Sequence, residues 1–311
     1  MITPLVEDVN CGGLKDVTYL FFCVKIKYNI KNKKRGIVME SFELKIESKR
    51  NTEIPCTVVL PDKGGKLPLV LMAHGFCATR HENGTFTMLA EKLAEAGIAS
   101  IRCDFPGCND STESHEFNNL ENNMDNLDSL LEYMKEYCDI DEFRVGMVGY
   151  SMGGKVVLHY TKRHPEIGVM GLWAPAAMNG LETGSDSDLG DPVKTSVWYE
   201  IAQRDGVYMY HNSFDERILP LGKDFFEQVI NSKAQDYFSA YDGHVILVNG
   251  DDDQIIPASL LQNVADCAHP DADFVHHVVK GANHGFGAWT NEPHQMEELV
   301  NVTADFIIRN I

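Results

Sequence analysis

Basic residues are scarce in this chain: 27 Lys and Arg face 46 Asp and Glu over 311 residues, a formal charge of −19. So acidic a surface disfavours polyanionic partners, and neither nucleic acid nor an anionic membrane is expected to bind. Cysteine pairs are missing. The eight cysteines, Cys11, Cys23, Cys56, Cys77, Cys103, Cys108, Cys138 and Cys267, form no C-x-x-C and lie mostly in or beside apolar segments. Reduced, packed thiols are therefore expected. Cys103 and Cys108 are the nearest two, and no Cys/His pair follows them at finger spacing, so no metal site is expected. Long uninterrupted apolar runs are absent as well. Val17 to Ile30 is the most apolar stretch of the N-terminus, yet Lys25 and Lys27 break it and no basic segment precedes it. It is expected neither to cross a membrane nor to direct secretion, and the expected location is cytoplasmic.

The shortage of basic residues is not uniform. Residues 1–38 carry a net +4 and residues 39–311 a net −23, which places the start of the main domain near Met39. Residues 1–38 read as an N-terminal extension, either disordered or produced by a start assigned too early. Lys33-Lys34-Arg35-Gly36, just before Met39, is what a translated purine-rich ribosome-binding site spells. The intact mass of the native protein separates the two. The remaining length suits one α/β domain with an insertion.

Gly149-Tyr150-Ser151-Met152-Gly153 lies between an apolar run, Phe143 to Val148, and a helix-compatible stretch, Gly154 to His164. That context puts a serine on a strand-to-helix turn. In a G-x-S-x-G turn the residues two before and two after the serine crowd each other, and glycine has no Cβ to clash. The hydroxyl is pushed outward, and the Met152 N–H at the helix start points into the same space, where an oxyanion is stabilised. A glycine-rich turn that merely packs a helix on a sheet has the same spelling, so the surrounding residues must carry the reading.

Phe42, Leu44 and Ile46 alternate with polar neighbours, and Ile54 to Leu60 follows a turn at Lys49-Arg50-Asn51, predicting two antiparallel strands. Leu67 to Ala73 reads as a strand buried on both faces. Phe86, Leu89, Ala90, Leu93 and Ala94 recur at helical spacing up to Gly97. Ile98 to Cys103 is the next strand, Leu120 to Met134 a second amphipathic helix, and Arg144 to Val148 the strand into Ser151. Val169 to Trp173, Val245 to Val248 and Phe274 to Val279 are three further strands. Helices are expected at Ser259 to Ala268 and from about Gln295 to Ile308. This alternation requires right-handed crossovers and a largely parallel sheet, with functional residues beyond the C-terminal strand ends. His74-Gly75-Phe76, Ser151, Asp253 and His284 follow the third, fifth, seventh and eighth strands. From about Met178 to Asp242 the alternation breaks into a stretch rich in Gly, Asp and aromatics, read as an insertion folded over the site.

A serine needs a base to take its proton and a third group to orient that base. Gly281-Ala282-Asn283-His284-Gly285-Phe286 is a small-residue loop after a strand, where an imidazole reaches a neighbouring strand end; a helix-capping histidine is the alternative. His276 and His277 lie in a strand pattern and His159 and His164 on a helix, positions suited to packing or solvent. For the acid, Asp251, Asp252 and Asp253 are adjacent, and spacing does not choose among them.

The order Ser…Asp…His, the His-Gly after the third strand and the G-x-S-x-G turn together resemble the α/β-hydrolase superfamily. The resemblance runs from about Met39 to Ile311 and is most similar to bacterial cinnamoyl/feruloyl esterase-like hydrolases. It rests on His74-Gly75-Phe76, the stretch Leu89 to Ser100, Asp104-Phe105-Pro106-Gly107 and Gly281 to Phe286. It implies an α/β-hydrolase fold: a mostly parallel eight-stranded sheet flanked by helices, with a cap inserted after the sixth strand. In such esterases the acid commonly sits in Gly-x-x-Asp-x-x-Val-Pro, and Gly250-x-x-Asp253-x-x-Ile256-Pro257 matches with Ile for Val, which selects Asp253. The oxyanion donors map to the backbone N–H groups of Phe76 and Met152. Two positions depart: Pro106 stands where Arg or Asn is frequent, and Asn109 where glycine is usual, although Asn tolerates left-handed geometry.

The expectation is a serine carboxylic-ester hydrolase working through an acyl-enzyme, with Ser151, His284 and Asp253 as the catalytic set and no cofactor. Its expected partner is a small-molecule ester, with hydroxycinnamates implied only by the resemblance. A serine peptidase of prolyl-peptidase type or an acyltransferase uses the same set. A binding module that has lost turnover would have no use for it, and a surface-active lipase is disfavoured by the charge and the lack of a long apolar cap helix. Trp198, Tyr199, Tyr208, Tyr210 and Phe214 are candidates to line an aromatic pocket, against the commoner alternative that a cap packs its aromatics on its own domain. A homodimer and movement of the cap stay open.

Overall fold

A computed structural model describes residues 26–28, 39–184 and 187–311. In chain order the elements are β1 (Ile26–Tyr28), β2 (Met39–Glu47), β3 (Glu53–Pro61), β4 (Leu67–Ala73), α1 (Thr85–Glu95), β5 (Ala99–Cys103), α2 (Leu120–Tyr137), β6 (Ile140–Tyr150), α3 (Met152–Arg163) and β7 (Val169–Trp173). They continue with α4 (Pro192–Asp205), β8 (Val207–His211), β9 (Ile218–Gly222), α5 (Lys223–Ile230), α6 (Ala234–Ser239), β10 (His244–Gly250), α7 (Ala258–Ala265), β11 (Asp273–Val279) and α8 (Pro293–Asn310).

The main sheet runs β1-β2-β3-β5-β4-β6-β7-β10-β11. Every pairing from β5 to β11 is parallel, whereas β3 is antiparallel to both β2 and β5. The parallel pairings follow from the helical crossovers. All seven residues of β4 are buried, and the pleat sends alternate side chains to opposite faces. Leu69 and Leu71 thus join one apolar layer with α2 and α3 residues, while Val70 and Met72 join the other with α1 and α8 residues.

Eight of these strands correspond to those expected. The ninth, β1, adds to the outer edge of β2 through three antiparallel pairs, from Ile26↔Glu43 to Tyr28↔Ser41; an edge strand offers a row of unpaired N–H and C=O groups. The rest of 1–38 lies outside the described residues, and with it the reading of that segment as an extension. The β2–β3 turn falls at the expected Lys49-Arg50-Asn51, with Asn51 at φ 58°.

Between β7 and β10 the chain leaves the sheet to form α4, the separate β8–β9 hairpin, α5 and α6. Asp191 starts α4 by accepting the Val193 and Lys194 N–H groups, with Pro192 at its first position, where a missing N–H costs nothing. Among the described residues no helix is long and apolar enough to cross a membrane. The six described cysteines are free thiols, four of them buried.

Candidate active site

Ser151 joins β6 to α3 with φ 53° and ψ −117°. A side chain pays about 1–3 kcal/mol for such a backbone, and three hydrogen bonds hold it there. Ser151 N–H donates to Trp173 O at 2.9 Å, and its carbonyl accepts Gly154 N–H at 3.0 Å and Ala176 N–H at 2.8 Å. The flanking glycines are sterically required. A Cβ on Gly149 would lie 2.5 Å from Gly153 O, and one on Gly153 would lie 2.0 Å from Ala73 O. The helix therefore starts hard against the ends of β4 and β6. Met152 is its first residue, and the first N–H groups of a helix have no intrahelical acceptor.

Asp253 and His284 meet at the ends of β10 and β11. His284 Nδ1 donates to Asp253 Oδ2 at 2.7 Å. Asp253 Oδ1 accepts the N–H groups of Ile255 at 2.8 Å and Ile256 at 2.9 Å, so the turn that follows fixes the carboxylate. Tyr150 stacks on the imidazole with ring centroids 5.2 Å apart, and its hydroxyl donates to His284 O. Asp251 and Asp252 are exposed while Asp253 is 2% exposed. The other histidines have different partners: His276 bonds Asn249, His277 pairs with Glu298, and His159 bonds Ser232.

The loop after β4 faces the serine. His74 Nε2 accepts Phe105 N–H at 2.9 Å, which leaves Nδ1 to donate to Gly75 O at 2.8 Å; burial pulls the ring's pKa down and keeps it neutral. Phe76 packs its ring against Tyr210 and Phe225 of the insertion. Cys77 sits at φ 57°, and its carbonyl accepts an Arg217 N–H at 2.9 Å. Asn109, the residue in place of a usual glycine, does adopt left-handed φ, at 44°.

Phe76, Ser151, Met152 and His284 line one cavity of about 340 Å³. Of the five aromatics proposed for its wall, Tyr210 and Phe214 line it. Trp198, Tyr199 and Tyr208 do not: Trp198 stacks on Tyr208 at 4.9 Å and Tyr199 packs on Phe226. Those three rings build the insertion itself. Sequence reasoning missed Trp289, Glu82, Lys155 and Arg217, which also line the cavity. Trp289 had a signal, five residues beyond His284; its ring lies over Gly285, where a Cβ would come within 2.6 Å of it. Lys155 is buried one turn into α3, with Nζ donating to Met178 O at 2.7 Å, Gly180 O at 2.8 Å and Ser232 Oγ at 3.3 Å. Burial pulls its ammonium down to about 7. It ties two parts of the insertion to the helix that bears the serine.

Residues 68–215 match the family model of the α/β-hydrolase fold. An Escherichia coli protein known as the uncharacterized 31.7 kDa protein in the traX-finO intergenic region is 30% identical over 108 residues, 35% of this chain. The match spans 37% of that relative's length. Among solved structures, Est1E from Butyrivibrio proteoclasticus with ferulic acid bound superposes with a TM-score of 0.67 at 19% identity, covering 86% of this chain and 98% of that one. The monoacylglycerol lipase of Paleococcus ferrophilus gives 0.63 at 17% identity, covering 83% and 100%. At these identities the likeness is one of fold. Strand order, the turn at Ser151 and the match over residues 68–215 agree: the chain has the α/β-hydrolase fold.

Proposed function

We propose that this protein is a serine carboxylic-ester hydrolase acting on small acyl esters through an acyl-enzyme. One observation carries the reading: His284, hydrogen-bonded to the buried Asp253 behind it, and a serine held at positive φ line one cavity, the three residues coming from three different strand ends. In the first half-reaction His284 Nε2 takes the Ser151 proton as Oγ attacks the acyl carbon. The charge developing on the carbonyl oxygen is met by the Phe76 and Met152 N–H groups, and Asp253 stabilises the imidazolium. The imidazolium then protonates the leaving alcohol. Water, deprotonated by His284, attacks the acyl carbon, and the acid leaves as Ser151 regains its proton.

The acyl group we propose is a small or planar one, with hydroxycinnamate the first to try. Phe76, Tyr210, Phe214 and Trp289 line the cavity, offering faces and edges to an aromatic ring, and Est1E was solved with ferulic acid bound. The test is hydrolysis of short and medium acyl nitrophenyl esters, methyl ferulate and an aminoacyl-proline amide by wild type and Ser151→Ala. Ester turnover should fall by roughly 10⁶-fold in the variant. Cleavage of the amide alone would replace the esterase reading with a peptidase one, and wild-type inertness on the whole panel would defeat both.

A further inference from the structure

Gly75 is gripped on both sides. Its carbonyl accepts from His74 Nδ1 at 2.8 Å and from Ala78 N–H at 3.2 Å. That carbonyl shares a rigid, planar peptide with the Phe76 N–H, which points the opposite way. Holding the oxygen therefore sets the direction of the Phe76 donor. The preceding peptide is held by its own N–H, which donates to the Glu82 carboxyl. A Cβ on Gly75 would lie 3.4 Å from Glu82 Oε1 and 3.4 Å from Ser151 Cβ, so the carboxyl sits close to the nucleophile and lines the same cavity.

The chain goes to some length to put it there. Glu82, Asn83 and Gly84 take φ of 44°, 52° and 96° in succession, and left-handed geometry is unfavourable for a non-glycine residue. Glu82 is 3% exposed, and among the described residues no cation pairs with it. Arg80, two residues before, spends its guanidinium on Asp104, Asp110, Glu43 and Thr57. A carboxylate buried without a cation neutralises itself by keeping its proton.

We propose that Glu82 is a positioning residue for ester hydrolysis: as a neutral carboxyl it holds the Gly75 amide and so aims the Phe76 amide at the acyl oxygen, and its ionisation shuts the site down. This rests on the serine-hydrolase reading above. Burial raises the Glu82 carboxyl to about 8, while the Gly75 N–H works in the other direction. The titratable groups facing it are the Tyr150 phenol on β6 and the Cys108 thiol after β5, both pushed up by burial and uncharged at neutral pH. His74, behind the loop, is neutral, and the Asp253–His284 pair lies beyond Tyr150. Losing the Glu82 proton thus places a negative charge beside the point where the acyl oxygen becomes negative.

The experiment measures kcat and KM for p-nitrophenyl acetate from pH 6 to 9.5, corrected for spontaneous hydrolysis, in wild type, Glu82→Gln and Glu82→Ala. Wild-type kcat should fall above a pH of about 8. Glutamine keeps an oxygen for the Gly75 N–H and cannot ionise, so its profile should stay level there. Alanine should lower kcat at pH 7 by roughly 10- to 100-fold with KM changed less than about threefold, and glutamine should restore most of that loss. A shared alkaline fall in wild type and Glu82→Gln would overturn the proposal, as would full kcat in Glu82→Ala. Should the alanine variant not fold, the two pH profiles still decide, and ¹³C-glutamate NMR should show a carboxyl titrating near 8 in wild type that Glu82→Gln lacks. Ser151→Ala run alongside separates the failures: if it turns over ester like wild type, the serine reading goes and this one with it. If it is inert while Glu82→Ala is unimpaired, only the role of Glu82 is lost.

Discussion

Asp251, Asp252 and Asp253 are chemically identical neighbours with different surroundings. Asp251 Oδ1 accepts Gly281 N–H at 2.6 Å and Oδ2 pairs with Lys280 at 3.1 Å, at the surface. Asp253 turns inward, gives one oxygen to two backbone amides and keeps the other for His284. An Asn at 253 can still satisfy those amides with its oxygen, but it then presents an NH₂ to Nδ1. The imidazole must switch tautomer, and in the proposed mechanism Nε2, now carrying hydrogen, could no longer accept the serine proton. Asp253→Asn should therefore lower kcat on p-nitrophenyl acetate by about 10⁴-fold, while Asp251→Asn stays within about twofold of wild type. Steady-state kinetics on the purified variants checks both. No periodicity distinguishes these three positions in the sequence, because the turn's hydrogen bonds decide which one faces inward. Family likeness chose Asp253, and the chosen residue is the buried one.

At the scale of elements, the legible parts were those whose periodicity is imposed by a two-sided core. β4 is buried throughout, and α1 buries Phe86, Leu89, Ala90, Leu93 and Ala94, the five residues that recur at helical spacing. The insertion was harder to read for a physical reason. α4 buries Thr195 and Ala202 while Val193 and Val197 stay exposed, so no apolar stripe marks it. Phe143 departs from its local pattern in the same way: it opens an apolar run in the sequence, yet it is 92% exposed. Glu82 left no sequence signal, since an isolated glutamate before a helix looks like a solvated one. The glycines of the turn at Ser151 are the most readable feature of all, and they make the sharpest element-level prediction. In Gly153→Ala the new Cβ would meet Ala73 O at 2.0 Å, forcing α3 away from β4. The expected loss is about 3 kcal/mol, a fall in Tm of roughly 6–12 °C for a domain of this size. Gly168→Ala, at a position with nothing within 4 Å, should leave Tm nearly unchanged in the same calorimetric scan.

The whole molecule acts on its substrate through its field. A formal charge of −19 repels anions approaching from solution, and that repulsion weakens as the Debye length contracts from about 30 Å at 0.01 M salt to about 8 Å at 0.15 M. A neutral ester such as methyl ferulate should have a kcat/KM almost independent of ionic strength. An ester of similar size that carries a free carboxylate should start lower and rise several-fold over that range. The cavity wall bears on the sign. Arg217 lines it, but Asp215 holds its guanidinium at 2.6 Å, and Glu182 adds a further carboxylate to the lining. The local balance therefore reinforces the global one rather than opposing it. A kcat/KM for the anionic ester that falls with salt would reverse this reading, since it would require Arg217 to leave Asp215 and take the substrate's carboxylate instead. Arg217→Gln would then remove the salt dependence along with the affinity.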